Sequence, residues 1–97
     1  MKKGGIPVIK QKACAGTLES SDIYVEIAPA AAGSGIKLNL TSVVMQQFGD
    51  QIESVIRQTL DQLDVKDAEL TVSDRGAVDC TIRARVETAV CRGKGVE

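Results

Sequence analysis

Residues 36–63 read IKLNLTSVVMQQFGDQIESVIRQTLDQL, and the spacing of the apolar residues changes within this stretch. Residues 36–40 alternate apolar and polar side chains, which is typical of a strand with one buried face. Residues 43–63 carry apolar side chains every three or four positions, which predicts an amphipathic helix that Thr41 or Ser42 can cap. The predicted core-facing stripe consists of Val44, Phe48, Ile52, Val55, Ile56, Thr59, Leu60 and Leu63.

The same two-residue alternation recurs on both sides of this helix. Residues 33–35, Gly-Ser-Gly, are suited to join the first two alternating runs as an antiparallel hairpin. Residues 73–76, Ser-Asp-Arg-Gly, are suited to turn the chain between the last two. The predicted strands are about 23–28, 36–41, 68–73 and 79–87.

Each predicted strand is apolar on one face only, and the chain holds one helix long enough to cover that face. The economical fold class is α+β, a two-layer β-β-α-β-β sandwich whose four-stranded, mainly antiparallel sheet is covered by one long helix. Ninety-seven residues make one domain. We expect a flexible leader at 1–14, a folded domain at 15–92 and a frayed tail at 93–97.

Composition excludes several classes of function. Twelve basic and thirteen acidic residues leave a net charge of −1, and the chain has no tryptophan. A nucleic-acid binder would show a basic face and aromatic stacking platforms. Histidine, the commonest general base and metal ligand, is absent. The acidic residues Glu69, Asp74 and Asp79 have no metal-ligand spacing. We therefore predict no catalytic residue, no metal site and no nucleic-acid partner.

The chain also carries no signal for a membrane or an oxidising compartment. No run approaches the roughly 18 apolar residues that a membrane span needs. Cys14, Cys80 and Cys91 form no CxxC motif, which favours a reducing compartment. We predict a cytoplasmic protein without a membrane partner. Cys14 has no histidine to activate its thiol, so we do not assign it a function.

Residues 15–22, AGTLESSD, form a polar loop before the first predicted strand. Gly16 loosens the backbone, and the hydroxyl and carboxyl side chains that follow favour turns. From residue types alone, the loop is either a solvated connector or a display site for a reactive hydroxyl. Ser20 and Ser21 are both candidates, and Ser21 lies closer to the strand, where its hydroxyl is more readily engaged locally.

Two basic residues on the last predicted strand, Arg83 and Arg85, share its polar face. Together with Lys37 they have the chemistry to meet phosphates. A solvated sheet face, on which these cations alternate with carboxylates, explains the three residues equally well.

Several segments together resemble one protein family. The segment AGTLESSD at 15–22 is similar to the attachment segment of the citrate lyase acyl carrier protein, the gamma subunit of that complex. Gln47-Phe48-Gly49 and the amphipathic run after it resemble the central helix of the family. The segments DRGAVDC at 74–80 and IRARVE at 82–87 resemble its closing hairpin. The resemblance covers roughly residues 15–90.

The resemblance implies a non-catalytic carrier subunit of a lyase complex. In this family a serine, which aligns with Ser20, carries 2′-(5″-phosphoribosyl)-3′-dephospho-coenzyme A through a phosphodiester. The implied partners are the citrate lyase alpha and beta subunits, a prosthetic-group transferase and an acetyl-activating ligase. The acetylated arm would exchange acetate for citrate on the alpha subunit, and the citryl thioester would be cleaved to oxaloacetate on the beta subunit. The alternatives are the carrier subunit of malonate decarboxylase and an unmodified protein-interaction domain.

Overall fold

The computed structural model describes residues 8–95, which form a four-stranded sheet with two helices on one face. The α+β class and the four-stranded sheet are thus confirmed. The number of helices is two, where the sequence predicted one. The elements in chain order are β1 Ala13–Gly16, β2 Ile23–Pro29, β3 Ile36–Ser42, α1 Met45–Gln62, β4 Ala68–Asp74 and α2 Asp79–Gly93.

The sheet has the strand order β1-β2-β4-β3. β2 is antiparallel to both of its neighbours, whereas β3 and β4 are parallel. The predicted hairpin between residues 23–28 and 36–41 is therefore wrong, because β4 lies between these two strands. The helix α1 connects β3 to β4, and a crossover of that length allows two neighbouring strands to run parallel.

One face of the sheet is apolar and packs beneath the helices. The register aligns Val25 with Val72 and Ile27 with Leu70, so these four side chains share the covered face. They are at most 1% exposed. α2 lies against β1, β2 and α1, and α1 also contacts β3. The apolar side chains of β3 are only half-buried, as expected for a strand at the sheet edge.

The predicted last strand, 79–87, is wrong, because this segment is the first part of α2. Of Cys80, Ile82, Ala84 and Val86, which were predicted to share one strand face, only Ile82 and Val86 are buried, and they lie four positions apart on one face of the helix. The buried residues of α2 are Ile82, Val86, Ala89, Val90 and Gly93, which recur at helical spacing. Asp79 in the first turn and Arg92 in the last turn have the charges that a helix dipole favours.

Residues 8–14 are part of the fold, contrary to their assignment to a flexible leader. Ile9 is 3% exposed and belongs to the core. The backbone N–H groups of Lys10 and Gln11 both donate to the carbonyl oxygen of Gly93, at N–O distances of 2.8 and 3.1 Å. These bonds satisfy a carbonyl that a helix C-terminus leaves without an internal partner. Gly93 is the last residue of α2 and is buried, so it does not belong to the predicted frayed tail. Residues 1–7 and 96–97 lie outside the part of the chain that the structure describes.

The helix α1 follows the predicted stripe except at its first turn. Ile52, Val55, Ile56, Thr59 and Leu60 are buried as predicted. Phe48, predicted to face the core, is 49% exposed. The helix begins at Met45, and the Ser42 hydroxyl accepts a hydrogen bond from the Val44 N–H just before it, at 3.0 Å. Phe48 borders a surface groove instead of packing in the core.

Candidate functional site

The predicted loop at 15–22 is shorter in the structure, because Ala15 and Gly16 belong to β1. The serine loop, residues 17–22, connects β1 to β2 at one end of the sheet. A ring of hydrogen bonds closes it. The Thr17 hydroxyl donates to Asp22 Oδ2 at 2.7 Å and accepts from the Glu19 N–H at 3.2 Å. The Asp22 N–H donates to the Glu19 carbonyl at 3.2 Å. The loop is therefore a defined turn rather than a loose connection.

Asp22 joins this turn to α2. Arg85 donates from Nε to Asp22 Oδ1 at 3.0 Å and from Nη2 to Asp22 Oδ2 at 2.9 Å. Such a two-point contact fixes orientation as well as distance. The Arg85 guanidinium holds the pKa of Asp22 well below its usual range, and hydrogen bonds from the Thr17 hydroxyl and the Ile23 N–H act in the same direction. The carboxylate is thus charged, and both of its oxygens accept hydrogen bonds.

A second tie joins the loop to the turn after β4. The Ser21 N–H donates to the Arg75 carbonyl at 2.8 Å, and the Arg75 N–H donates to the Asp22 carbonyl at 2.9 Å. Ser21 adopts a positive φ of 66°, a conformation that few residues other than glycine take. On the opposite side, Gly16 has φ +94°, and a Cβ there would overlap the Ile23 carbonyl oxygen. Two backbone positions therefore constrain the path of the loop.

The two serines differ in how their backbones are held. Both are exposed. The Ser21 backbone is bound to Arg75, but its hydroxyl has no hydrogen-bond partner among residues 8–95, so the expected local engagement of that hydroxyl is not observed. The Ser20 hydroxyl likewise has no partner in the described part of the chain. Ser20 lies at the middle of the loop, between the bonds at Thr17–Glu19 and those at Ser21–Asp22.

The structure separates the cations that the sequence grouped on one strand. Arg85 is bound to Asp22, Arg83 is exposed on α2, and Lys37 is exposed on β3. They do not form one phosphate site. Arg75, which sequence reasoning did not single out, lies directly beside the serine loop through its backbone hydrogen bonds.

The acidic residues near the predicted last turn also separate. Asp74 is 1% exposed and accepts hydrogen bonds from the Ser42 hydroxyl and from the N–H groups of Gly76 and Ala77. Asp79 accepts from the Gln51 side chain at 3.1 Å, and Glu69 is exposed on β4. Within residues 8–95, no group of three or more His, Cys, Asp or Glu side chains is arranged to hold a metal ion.

One open depression borders the loop and a second lies beside the turn after β4, and sequence reasoning missed both. The first, which we call the loop-side depression, has a volume of about 420 Å³ and is bordered by Leu18, Val43, Ser73 and Arg75. The second, which we call the helix groove, has a volume of about 410 Å³. Val44, Phe48, Gln51, Ala77 and Val78 border it. No periodic pattern in the sequence predicts either depression, because the first combines residues from three separate segments and the second from two.

Comparison with known proteins identifies the class. The family model described as "Malonate decarboxylase delta subunit (MdcD)", an acyl carrier protein family, matches residues 10–93. A solved structure, a Pseudomonas malonate decarboxylase hetero-tetramer in complex with malonate, contains a chain similar to this one with a TM-score of 0.73 and 17% identity. The similarity covers 88% of this chain and 86% of that chain, and at this identity it establishes the fold alone.

Curated relatives are more similar in sequence. The citrate lyase acyl carrier protein of Klebsiella pneumoniae is 55% identical over 84 residues, which cover 87% of this chain and 86% of the relative. The citrate lyase acyl carrier protein of Vibrio cholerae is 53% identical over 89 residues, which cover 92% of this chain and 90% of the relative. The citrate lyase acyl carrier protein of Clostridium perfringens is 46% identical over 88 residues, which cover 91% of this chain and 86% of the relative.

These matches define the chain as an acyl carrier protein with an α+β fold. Within that class it belongs to the family of citrate lyase acyl carrier proteins. Membership implies a carrier role, a covalently attached prosthetic group and a multi-subunit complex. Among residues 8–95, no helix is long and apolar enough to cross a membrane.

Proposed function

We propose that Ser20 is the attachment site of 2′-(5″-phosphoribosyl)-3′-dephospho-coenzyme A and that the chain serves as the carrier subunit of a citrate lyase. The observation that carries this proposal is the position of Ser20. Its side chain is exposed, and its hydroxyl has no partner within residues 8–95. The turn that presents it is held at Ser21 and Asp22 by Arg85 and by the Arg75 backbone, and a hydrogen bond from Thr17 to Asp22 closes its other end. A transferase therefore meets a free hydroxyl at a fixed place.

Attachment requires an activated phosphate on the incoming arm. The Ser20 oxygen attacks that phosphorus and forms the Oγ–P bond of a phosphodiester. The bond from the same phosphorus to a leaving group breaks, the leaving group keeps the bonding electron pair, and the hydroxyl proton passes to a base. The chain has no histidine, and Asp22, the carboxylate within the turn, is engaged by Arg85. The prosthetic-group transferase is thus expected to supply the base.

The chain contributes tethering rather than chemistry of its own. When bound, the prosthetic group supplies a thiol that holds acetyl or citryl groups as thioesters. A tether raises the effective concentration of such a thioester at each partner site. The proposed partners are an alpha subunit that exchanges acetate for citrate and a beta subunit that releases oxaloacetate. An acetyl-activating ligase would load the free thiol. The free cysteines Cys14, Cys80 and Cys91 fit a cytoplasmic carrier.

A second candidate function is the carrier subunit of malonate decarboxylase. The description of the matching family model and the fold of the Pseudomonas chain favour it. The identities of 46–55% to carriers named for citrate lyase outweigh these observations. The choice is testable, because the purified carrier should restore citrate cleavage to alpha and beta subunits that lack one. Restoration of malonate decarboxylation alone would reverse the assignment.

Peptide mapping of the protein isolated from its own cells tests the attachment site. We expect the added mass on the peptide that contains Ser20. Ser20→Ala should lose both the added mass and citrate cleavage, whereas Ser21→Ala, the matched control, should remain modified. Neither substitution should change the melting temperature by much, because both side chains are exposed. An added mass on Ser21 or Cys14 would contradict the assignment, and a wholly unmodified protein would favour an interaction domain.

A further inference from the structure

The surface beside the serine loop exposes an unusual amount of apolar side chain. Leu18 is 56% exposed, Val43 is 65% exposed and Val78 is 63% exposed. With Phe48, these residues border the loop-side depression and the helix groove. A third depression, bordered by residues 42–47, shares Val43 with the loop-side depression and Val44 with the helix groove, so the depressions adjoin and form one path. Exposed apolar surface of this kind commonly marks a site that binds something.

The charges along this path favour an anionic ligand near the loop. The Arg75 side chain is exposed and makes no ion pair or side-chain hydrogen bond with any other residue from 8 to 95. Two carboxylates near Arg75 are already engaged, whereas that of Glu19 is exposed and makes no ion pair within residues 8–95. Asp74 accepts from Ser42 and from two backbone N–H groups, and Asp22 is bound by Arg85. Arg75 is therefore an available cation, and a guanidinium binds phosphate oxygens in a two-point contact.

The order of these features matches the order of the groups along the proposed arm. Ser20 is two positions from Leu18, which borders the loop-side depression together with Arg75. The helix groove begins beyond Val43 and is bordered by apolar side chains, the amide of Gln51 and the carboxylate of Asp79, to which that amide donates. An arm that starts with the attachment phosphate and continues through an uncharged ribose and adenosine would meet the cation first and the apolar groove next.

We propose that this path is a resting site for the chain's own arm. The phosphate on Ser20 contacts Arg75, and the ribose and adenosine that follow it lie along Leu18, Val43, Phe48 and Val78. The proposal rests on the proposed function, because it requires an arm on Ser20. Weak contacts suffice, because a tethered ligand is present at high effective concentration. The arm would leave the path when a partner subunit binds it more tightly.

Nuclear magnetic resonance of the apo and holo proteins tests the resting site without any lyase assay. Attachment should shift the backbone amide signals of Val44, Phe48, Ala77 and Val78, in addition to those of the serine loop. The phosphorus signal of the attachment phosphate should be broadened, because a phosphate held against Arg75 tumbles with the protein. Shifts confined to residues 17–22, with a sharp signal from that phosphate, would overturn the proposal.

Variants separate the two halves of the path. Arg75→Gln should sharpen the signal of the attachment phosphate, and Arg83→Gln, which removes another exposed arginine, should not. Val78→Ser should abolish the amide shifts in the helix groove. Val8→Ser removes a valine that is 52% exposed near Lys10, which binds the opposite end of α2, and should leave the shifts unchanged. Equal effects of each variant and its control would also overturn the proposal.

Mass spectrometry of every sample distinguishes this failure from failure of the proposed function. A sample without the added mass on Ser20 refutes the proposed function, and the resting site falls with it. A fully modified sample in which the groove signals do not move refutes the resting site alone. Groove signals that move only when a partner subunit is added would identify the path as a partner-docking surface instead.

Discussion

Asp22 is the residue on which the geometry of the serine loop depends most directly, because it joins three parts of the fold. It accepts from Thr17 within the loop, from the Ile23 N–H in β2 and from Arg85 in α2. An asparagine has nearly the same shape but no charge, so Asp22→Asn should weaken all three contacts. We expect a lower melting temperature at neutral pH. Asp50→Asn, at an exposed carboxylate on α1, is the control and should change it little.

The contribution of Asp22 should also depend on pH. The pKa of Asp22 in the folded chain lies below its ordinary value of 3.8. Such a group stabilises the fold fully above pH 3.8, and the stabilisation is lost as the pH falls towards the folded value. The difference in stability between the wild type and Asp22→Asn should therefore be constant from pH 5 to 7 and shrink below about pH 4. Denaturant titrations across this range measure it, and a difference that grows in acid would contradict the ion pair.

Gly16 is the second residue whose identity the loop requires. Alanine at a positive φ costs about 1–2 kcal/mol through backbone strain. Gly33→Ala, at φ +84° with open space around it, should show this cost alone. Gly16→Ala should cost more, because its Cβ would also overlap the Ile23 carbonyl. Chemical denaturation of both variants gives the comparison, and equal costs would mean that β1 moves freely away from β2.

At the scale of the element, α1 divides its apolar residues between the core and the surface. Ile52 is 4% exposed and Phe48 is 49% exposed. Ile52→Ala should cost about 2–5 kcal/mol, because it leaves a cavity beneath the helix. Phe48→Ala should cost clearly less despite removing a larger side chain. Urea denaturation measures both, and the reverse order would show that Phe48 is a core residue.

The helix α2 connects the helix groove to the serine loop. Its first turn begins next to the helix groove, and Arg85 follows two turns into the helix. Its last turn accepts hydrogen bonds from residues 10 and 11. A helix is rigid along its axis, so Arg85 presents a fixed guanidinium to the serine loop. The closing segment of the chain therefore orients the loop in addition to completing the core.

At the scale of the whole molecule, hydrogen exchange should separate a stable centre from an accessible loop. β2 and β4 are the central strands, and their amides should exchange only on global unfolding. Ser21 and Asp22 donate to backbone carbonyls and should be partly protected. The Leu18 and Ser20 N–H groups have no acceptor within residues 8–95 and should exchange rapidly. Protection of Ser20 as strong as that of buried Ile56 would contradict its role as an accessible attachment site.

Much of the fold was predictable because it is encoded locally. The alternation in 23–27 and the stripe in 52–60 are strong signals, and both proved correct. The apolar residues within 79–87 fit both the two-residue period of a strand and the 3.6-residue period of a helix. Only the buried residues 89, 90 and 93 distinguish a helix from a strand. The error at this segment came from reading too short a window, since a helix needs two or three turns to show its period.

The sequence by itself determined the α+β class, the long helix α1, the exposed serine loop and the family resemblance, because each is a property of contiguous residues. Only the tertiary structure decided that β4 lies between β2 and β3, that residues 8–12 hold the end of α2, and that Arg75 borders the loop. It also decided the pairing of Asp22 with Arg85, which are 63 positions apart. Contacts at that separation depend on how the elements pack against one another, and no local periodicity records them.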